Sequence, residues 1–413
     1  MTDPSSNRSS RRRVSRRGFL AGGAAAAASV PLVAPALGRA AEPKAKRKLK
    51  LGLIGCGGRG RWIAGLFRKH GGFEIHAVSD YFPQVADKAG AALAVDKSRR
   101  FSGLAGYRKV LASGVEAVII IDVPYFHPQQ AQAAVEAGCH VYIAKPVAVD
   151  VPGCLQIGRA GKLATKKKLC FLVDYQIPTD PTNLEVAQRI WAGGLGKLAH
   201  VGTIGFSGAW ADPPRGKTIE NLLRGGAWLS DIALSGDSVV SYDIHIIDAA
   251  VWVIRQRPIA ASGASRILRP KPHGDYRDVC CVVFECADGL IWNHRGQSLR
   301  NNEDSILRGT IHGQAANAQV AYWGKAFVRG GPKHYAGGRV TNLYDAGAAR
   351  NVAEFHKNIT EGRFDNPTVA RGVDGTLTAI LAREAAARHT RLTMDELLKE
   401  NKRLKVDLSG LKA

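Results

Sequence analysis

The stretch KLKLGLIGCGGRGRWIAGLFRKHGGFEIHAVSD, residues 48–80, constrains the fold more than any other part of the chain. The apolar run Leu49 to Ile54 suits a strand buried on both faces. A glycine turn follows at once: Gly55, Gly57 and Gly60 match G-x-G-x-x-G, and Trp62 to Phe67 continue with helical apolar spacing. In a strand-turn-helix unit the first glycine permits the tight turn, the second lets the backbone approach a pyrophosphate, and the third lets helix and strand pack closely. The helix N-terminus then faces the phosphates. The candidate phosphate-binding turn is therefore Gly55, Cys56, Gly57, Gly58, Arg59 and Gly60. The next strand ends in Asp80, 25 residues beyond Gly55, close to the spacing of the acid that hydrogen-bonds a ribose diol. Its charge would repel a 2′-phosphate, so NAD is expected as cofactor in preference to NADP. The plainer reading of Asp80 is a cap for the following helix.

The alternation continues. EAVIIIDVP reads as another buried strand, HPQQAQAAVEAG as a helix closed by Gly138, and HVYIAKPV as the next strand. Repeated strand-helix units at this spacing mean a parallel, doubly wound sheet, with ligand at the carboxyl ends of its strands. Those ends carry Pro124, His127, Lys145 and Pro146. A lysine there, beside a nicotinamide, can hydrogen-bond a substrate hydroxyl and tune its proton loss, because burial lowers an amine's pKa. An exposed loop lysine is the competing reading.

From about Cys170 the texture changes to half-buried strands: HVGTIGF, DVCCVVFECADGLIWNHRG and DSILRGTIHG. The turn ADG inside the second marks a hairpin. Strands in series with helices on one face argue an α+β unit with a mixed or antiparallel sheet. The fold class expected is thus α/β, an N-terminal Rossmann sheet plus a C-terminal α+β domain. The boundaries expected are a leader at 1–41, a basic linker at 42–48, a nucleotide domain at 49–170, and a substrate and association domain at 171–413. The last of these ends in helices, one of them capped by Thr393 and Glu396.

One polar stretch in the second half draws attention. In SYDIHIIDAAVW, residues 241–252, His245, Asp248, Ala249 and Trp252 fall on one face of a helix that begins near Asp243. Asp243 and His245 are two apart and diverge on a helix, and no other ligand motif lies nearby, so no metal is expected. A core histidine satisfied by a neighbour is the alternative to a catalytic one.

The order of G-x-G-x-x-G, Asp80, DVPYFHPQQAQAAVEAGCHVYIAKP and a later His-x-x-Asp resembles the glucose-fructose oxidoreductase and inositol dehydrogenase family (Gfo/Idh/MocA) over nearly the whole chain after its leader. The family's Thr-Pro-x-x-x-His-x-x-x-Ala appears as Val123, Pro124, His127 and Ala131, and its Glu-Lys-Pro as Ala144, Lys145 and Pro146. The resemblance implies that Pro124, His127, Lys145 and Gln176 contact NAD, that Lys145 is the catalytic lysine, and that His245 is the acid/base, with Asp248 orienting it or capping its helix. The family's Asp-x-x-x-His-x-x-Asp departs at two places: the leading Asp falls on Ser241, and a usual Gly is Asp243, a candidate replacement carboxylate. Gln176, Asp180 and Pro181 fit exported bacterial members, although Ile177 and Pro178 stand where such members often have two Arg. A homo-oligomer, dimer or tetramer, is implied through the open face of the second sheet. Trp210, Arg224 and Trp228, in the loop SGAWADPPRGKTIENLLRGGAWLSD, are candidate sugar contacts or packing residues.

The N-terminus, RSSRRRVSRRGFLAGGAAAAASVPLVAPALGRAAEP, resembles a twin-arginine export signal, with Arg16 and Arg17 before Phe19 and Leu20. It implies passage through the twin-arginine translocation machinery, cleavage near Ala40 or Ala41, and a periplasmic or otherwise exported protein. That route takes chains already folded, which suits one that captures its cofactor first. The formal charge of +23 falls to +17 when residues 1–41, with seven Arg and one Asp, are removed. The remaining basic residues are scattered after KAKRKLK, so no nucleic-acid partner is expected, and no later segment has the ~20 apolar residues of a membrane span. The seven Cys lack any CxxC pair and read as buried thiols. The expectation is an NAD-dependent oxidoreductase acting on a sugar, polyol or sugar derivative, its cofactor tightly bound and recycled. The alternatives are a glycoside-cleaving enzyme that oxidises transiently and eliminates, and a redox-inactive nucleotide-retaining binding protein.

Overall fold

The structure, a computed structural model, describes residues 47–213 and 218–413. The leader at 1–41, residues 42–46 of the basic linker, and Pro214 to Lys217 lie outside the described residues. Six strands form a wholly parallel sheet: β1 (Leu49–Ile54), β2 (Phe73–Asp80), β3 (Arg100–Ser102), β4 (Ala117–Ile120), β5 (His140–Ala144) and β6 (Phe171–Asp174). Their order, β3-β2-β1-β4-β5-β6, reverses direction between β1 and β4, the switch point at which such sheets bind nucleotides. The strands are apolar along their length because both faces are covered; every residue of β4 and β6 is buried. β6 lies just beyond residue 170, where the sequence changes texture, and still belongs to this sheet.

The first helix, Gly58–His70, buries Gly60, Ile63, Ala64 and Phe67 and stops at Gly71, whose φ of +84° is the left-handed conformation of a helix end. Phe67 meets Phe73 and Tyr142 edge-on, and also Phe355 from the far helix Leu343–Glu361. A helix of the second half therefore completes the packing of the first.

The second sheet has nine strands: β7 (Leu198–Ser207), β8 (Ala260–Arg266), β9 (Val279–Glu285), β10 (Ile291–Ser298), β11 (Ile306–Gly313), β12 (Asn317–Ala321), β13 (Gly324–Arg329), β14 (Tyr335–Val340) and β15 (Leu392–Thr393). Their order is β14-β13-β12-β11-β7-β10-β9-β8-β15, antiparallel except for β7 beside β10. β9 and β10 form the expected hairpin, Glu285 opposite Ile291, and both alternate buried and exposed residues. That alternation means one face is packed and one open. Helices Ile244–Ile254 and Pro367–Arg388 cover the packed face. Six of the seven cysteines are buried thiols; Cys281, on the open face, is exposed. The Thr393–Glu396 capping box is present. Among the described residues no helix is long and apolar enough to cross a membrane.

Candidate functional site

The glycine turn does what its spacing requires. Gly55 has φ +89°, and a Cβ there or at Gly60 would run into backbone, of Ile121 and of Gly55 respectively. At Gly57 and Gly58 an added Cβ would meet nothing within 4 Å. Among the described residues the helix N-terminus has no side-chain cap, and Gly57 and Gly58 at that end border this open space. A cavity of about 500 Å³ opens there, lined by Gly55 to Gly58, Asp80, Tyr81, Phe82 and Asp122 among others. The Asp80 carboxylate accepts from the N–H groups of Cys56 (2.9 Å) and Phe82 (3.0 Å) and keeps further lone pairs for a diol. Burial raises it to about 6 against those two donors. Open glycines, bare helix amides and a carboxylate on the cavity wall fit a dinucleotide.

Other residues expected to touch the cofactor do not line this cavity. His127 is fully buried, its Nδ1 2.9 Å from the Pro146 carbonyl and its Nε2 3.0 Å from that of Asp122. Burial holds it neutral, at about 4, and it fastens the β4 and β5 loops together; Pro124 is buried beside it. Gln176 is buried too, its amide donating to Asp174 and its carbonyl accepting from the Tyr322 hydroxyl at 3.2 Å. Arg59 donates to Asp174 at 2.6 Å and lies over the rings of Trp62 and Tyr344.

Lys145 leaves the end of β5 partly buried, and its Nζ donates to the Ser241 carbonyl at 2.6 Å. Burial and the Arg59 guanidinium bring its ammonium down to about 7, against the Asp174 and Asp243 carboxylates. His245 sits in the first turn of helix Ile244–Ile254. Its ring meets Tyr322 edge-on at 5.0 Å, and its buried Nδ1 has no hydrogen-bond partner among the described residues. Burial first, then the charges of Lys145 and Arg59, push the imidazole well below its usual range. The structure thus gathers Lys145, His245, Arg59, Asp174 and Tyr322 about one centre.

The two aspartates near His245 do other work than expected. Asp248 is fully buried and pairs with Arg371 at 3.1 Å; it neither orients His245 nor caps the helix. Asp243 turns down between β7 and β10, into a slot left by the paired glycines Gly205 and Gly296, where a Cβ on either would strike its carboxylate. There it meets His294 Nε2 at 3.0 Å. The Trp292 indole donates to Thr203 Oγ1 (2.7 Å), which lies 3.0 Å from His294 Nδ1, so a buried hydrogen-bonded chain ends on this carboxylate.

Trp228 lines the nucleotide cavity, and Arg224 lies over the Phe82 ring on the same side. Trp210 packs against Tyr276, away from that cavity. Sequence reading missed Asp174, Tyr322 and His294. Asp174 had a signal, since it ends a buried parallel strand; His294 had a weaker one, a polar residue on the inward parity of β10.

Residues 49–175 match the oxidoreductase family with NAD-binding Rossmann fold, Gfo/Idh/MocA. The chain is 26% identical over 251 residues to inositol 2-dehydrogenase 2 of Saccharopolyspora erythraea, covering 59% of this chain and 65% of that protein. It is 32% identical over 149 residues to inositol 2-dehydrogenase of Burkholderia ambifaria, covering 36% and 43%. The matched stretch thus spans less than two thirds of either relative. A levoglucosan dehydrogenase solved with NADH and levoglucosan superposes with a TM-score of 0.68 at 17% identity, over 84% of this chain and 100% of that one; this likeness speaks for the fold.

Proposed function

We propose that the protein is an NAD-dependent oxidoreductase acting on a sugar, polyol or sugar derivative. The observation that carries the reading is the unpartnered, buried Nδ1 of a neutral His245, held with Lys145 at the carboxyl ends of the parallel strands. A neutral imidazole can take the proton of a substrate hydroxyl, and Lys145 can hold and polarise the same oxygen. Bound NAD would supply the hydride acceptor. Gly57 and Gly58 leave room for the pyrophosphate, and Asp80 for the ribose diol. Inositol and levoglucosan dehydrogenases among the similar proteins support a polyhydroxylated substrate.

The test is purified protein, denatured to detect released NAD, and then titrated with candidate sugars while reduced-nicotinamide absorbance is followed. Reduction that vanishes in His245→Ala, with nucleotide still bound, is the expected result. Nucleotide that no sugar ever reduces would sink it, and glycoside cleavage without net reduction would select transient oxidation instead. The reading further includes export by the twin-arginine route and a homo-oligomer. Arg16 and Arg17 support the first, tested by fractionating cells that express the Arg16→Lys, Arg17→Lys chain, where an unchanged location would refute it. The open face of the nine-stranded sheet supports the second.

A further inference from the structure

The nucleotide cavity is not walled by the parallel sheet alone. Its lining takes in Leu223, Gly225 and Trp228, from a segment that follows β7. Thr218 caps the short helix Ile219–Leu223 by accepting from Asn221 N–H. Leu222 and Leu223 are buried with Phe82, Val123, Phe126 and Leu234 in an apolar cluster on which Tyr81, Leu104 and Trp228 pack. Arg224 lies 4.3 Å from the centre of the Phe82 ring. Phe82 is two residues past Asp80, so this cover sits over the ribose and adenine end of the site.

A second segment packs on the same cluster. Residues 401–413 contain no helix or strand, yet they are pinned at two places. Leu404 N–H donates to Asp150 Oδ2 at 2.9 Å, and that carboxylate's other oxygen caps helix Val151–Lys166. Further on, Leu104 N–H donates to the Lys412 carbonyl at 3.0 Å, and Lys412 N–H donates to the Tyr81 hydroxyl at 3.3 Å. Between these points Val406, Leu408 and Leu411 pack on the same cluster. Tyr81 and Leu104, which receive the strap, themselves line the cavity. A stretch without regular structure whose apolar side chains and C-terminal hydrogen bonds lie on the wall of one cavity restrains the movement of that wall.

We propose that Thr218–Ser230 and residues 404–412 form a two-part clamp on the adenosine end of the nucleotide site. Leu223 and Trp228 are its nucleotide-facing residues, and the clamp holds the nucleotide in place from one turnover to the next. The proposal rests on the NAD reading of the site. Release then requires the covering segment to part from Phe82 and Val123, or the Tyr81 and Leu104 side of the same wall, which the strap holds, to move.

The full chain is loaded with NADH, freed of excess by gel filtration and mixed with an excess of NAD⁺, and the decay of bound-NADH fluorescence gives the off-rate. Trp228→Ala is expected to release NADH roughly 5- to 100-fold faster, the worth of one aromatic contact with a base, and the strap double variant Leu408→Ser, Leu411→Ser is separately expected to release it faster than the wild type. Off-rates unchanged in both variants overturn the clamp. Trp228 is half-buried, so its truncation leaves the core in place and the comparison stands even where the strap variant unfolds on circular dichroism. A full chain that takes up no NADH at all overturns the nucleotide reading instead.

Discussion

At the scale of single residues the site is a problem of charge. Lys145 and Arg59 both oppose protonation of His245, so the imidazole waits as an empty proton acceptor. Oxidation of a hydroxyl releases a proton to His245, and a charged Lys145 opposes its arrival there, so the imidazole accepts best when Lys145 is neutral and holds the oxygen through an N–H. Its folded value of about 7 is depressed, so the charged form dominates below that pH and the neutral form above it. The rate of sugar oxidation, as kcat/KM of the free enzyme, is therefore expected to rise through about pH 7 and level off, and Lys145→Met to show a lower, flatter profile. A profile unchanged in shape in that variant would remove Lys145 from the role. Asp80 has the opposite bookkeeping: its carboxyl is raised to about 6, so the acceptor form is lost as pH falls through that value. NADH affinity, read by fluorescence titration, should weaken below pH 6 in the wild type, and Asp80→Ala should narrow the preference for NAD over NADP. Lys145 and His245 were legible because each follows a local pattern, a buried strand end and a helical repeat. The partner of Arg59 was not, since Asp174 lies 115 positions away and meets it only through the order of the strands.

At the scale of elements the glycine turn separates two kinds of constraint that the motif writes with one letter. Gly60 is a packing glycine: a Cβ would collide with the Gly55 carbonyl, and the helix must move off the strand. Gly60→Ala is expected to destabilise the fold by roughly 1–3 kcal/mol, the cost of overpacking, measured by thermal or urea unfolding. Gly57 is a ligand glycine, with open space where its Cβ would go. Gly57→Val should unfold like the wild type and yet bind NADH more weakly; equal affinity would mean that the phosphates pass elsewhere. The helix of residues 244–254 shows the limit of periodicity. Its repeat correctly placed His245 and Asp248, but the same repeat cannot say that Asp248 turns to Arg371, because that partner comes from helix Pro367–Arg388. Asp243 is harder still: its pocket exists only because Gly205 and Gly296 are neighbours across two strands, a register that no local pattern carries.

At the scale of the whole molecule, strand and helix alternation announced the parallel sheet, and hydrophobic alternation announced the half-open one. The covering segments over the nucleotide cavity carry neither period, so the sequence offered the first only as a loop, and residues 401–413 depart from the helices expected at the end of the second domain. The open face of the second sheet carries the last expectation. Val283 and Ile291, on the hairpin β9–β10, are 45% and 55% exposed, among polar neighbours Asn293 and Arg295 of the same face. An apolar centre with a polar surround is how an association surface is built, and a stable one must cover about 800 Å² on each partner. If the proposed oligomer forms there, two copies bring this face together, and a charge at its centre would be buried without a partner. The double variant Val283→Lys, Ile291→Lys should then run as a single chain by light scattering, with its fold intact because both side chains point away from the core. A wild-type protein that is already a single chain would refute association outright. An oligomer whose mass the two lysines leave unchanged would move the interface to another face.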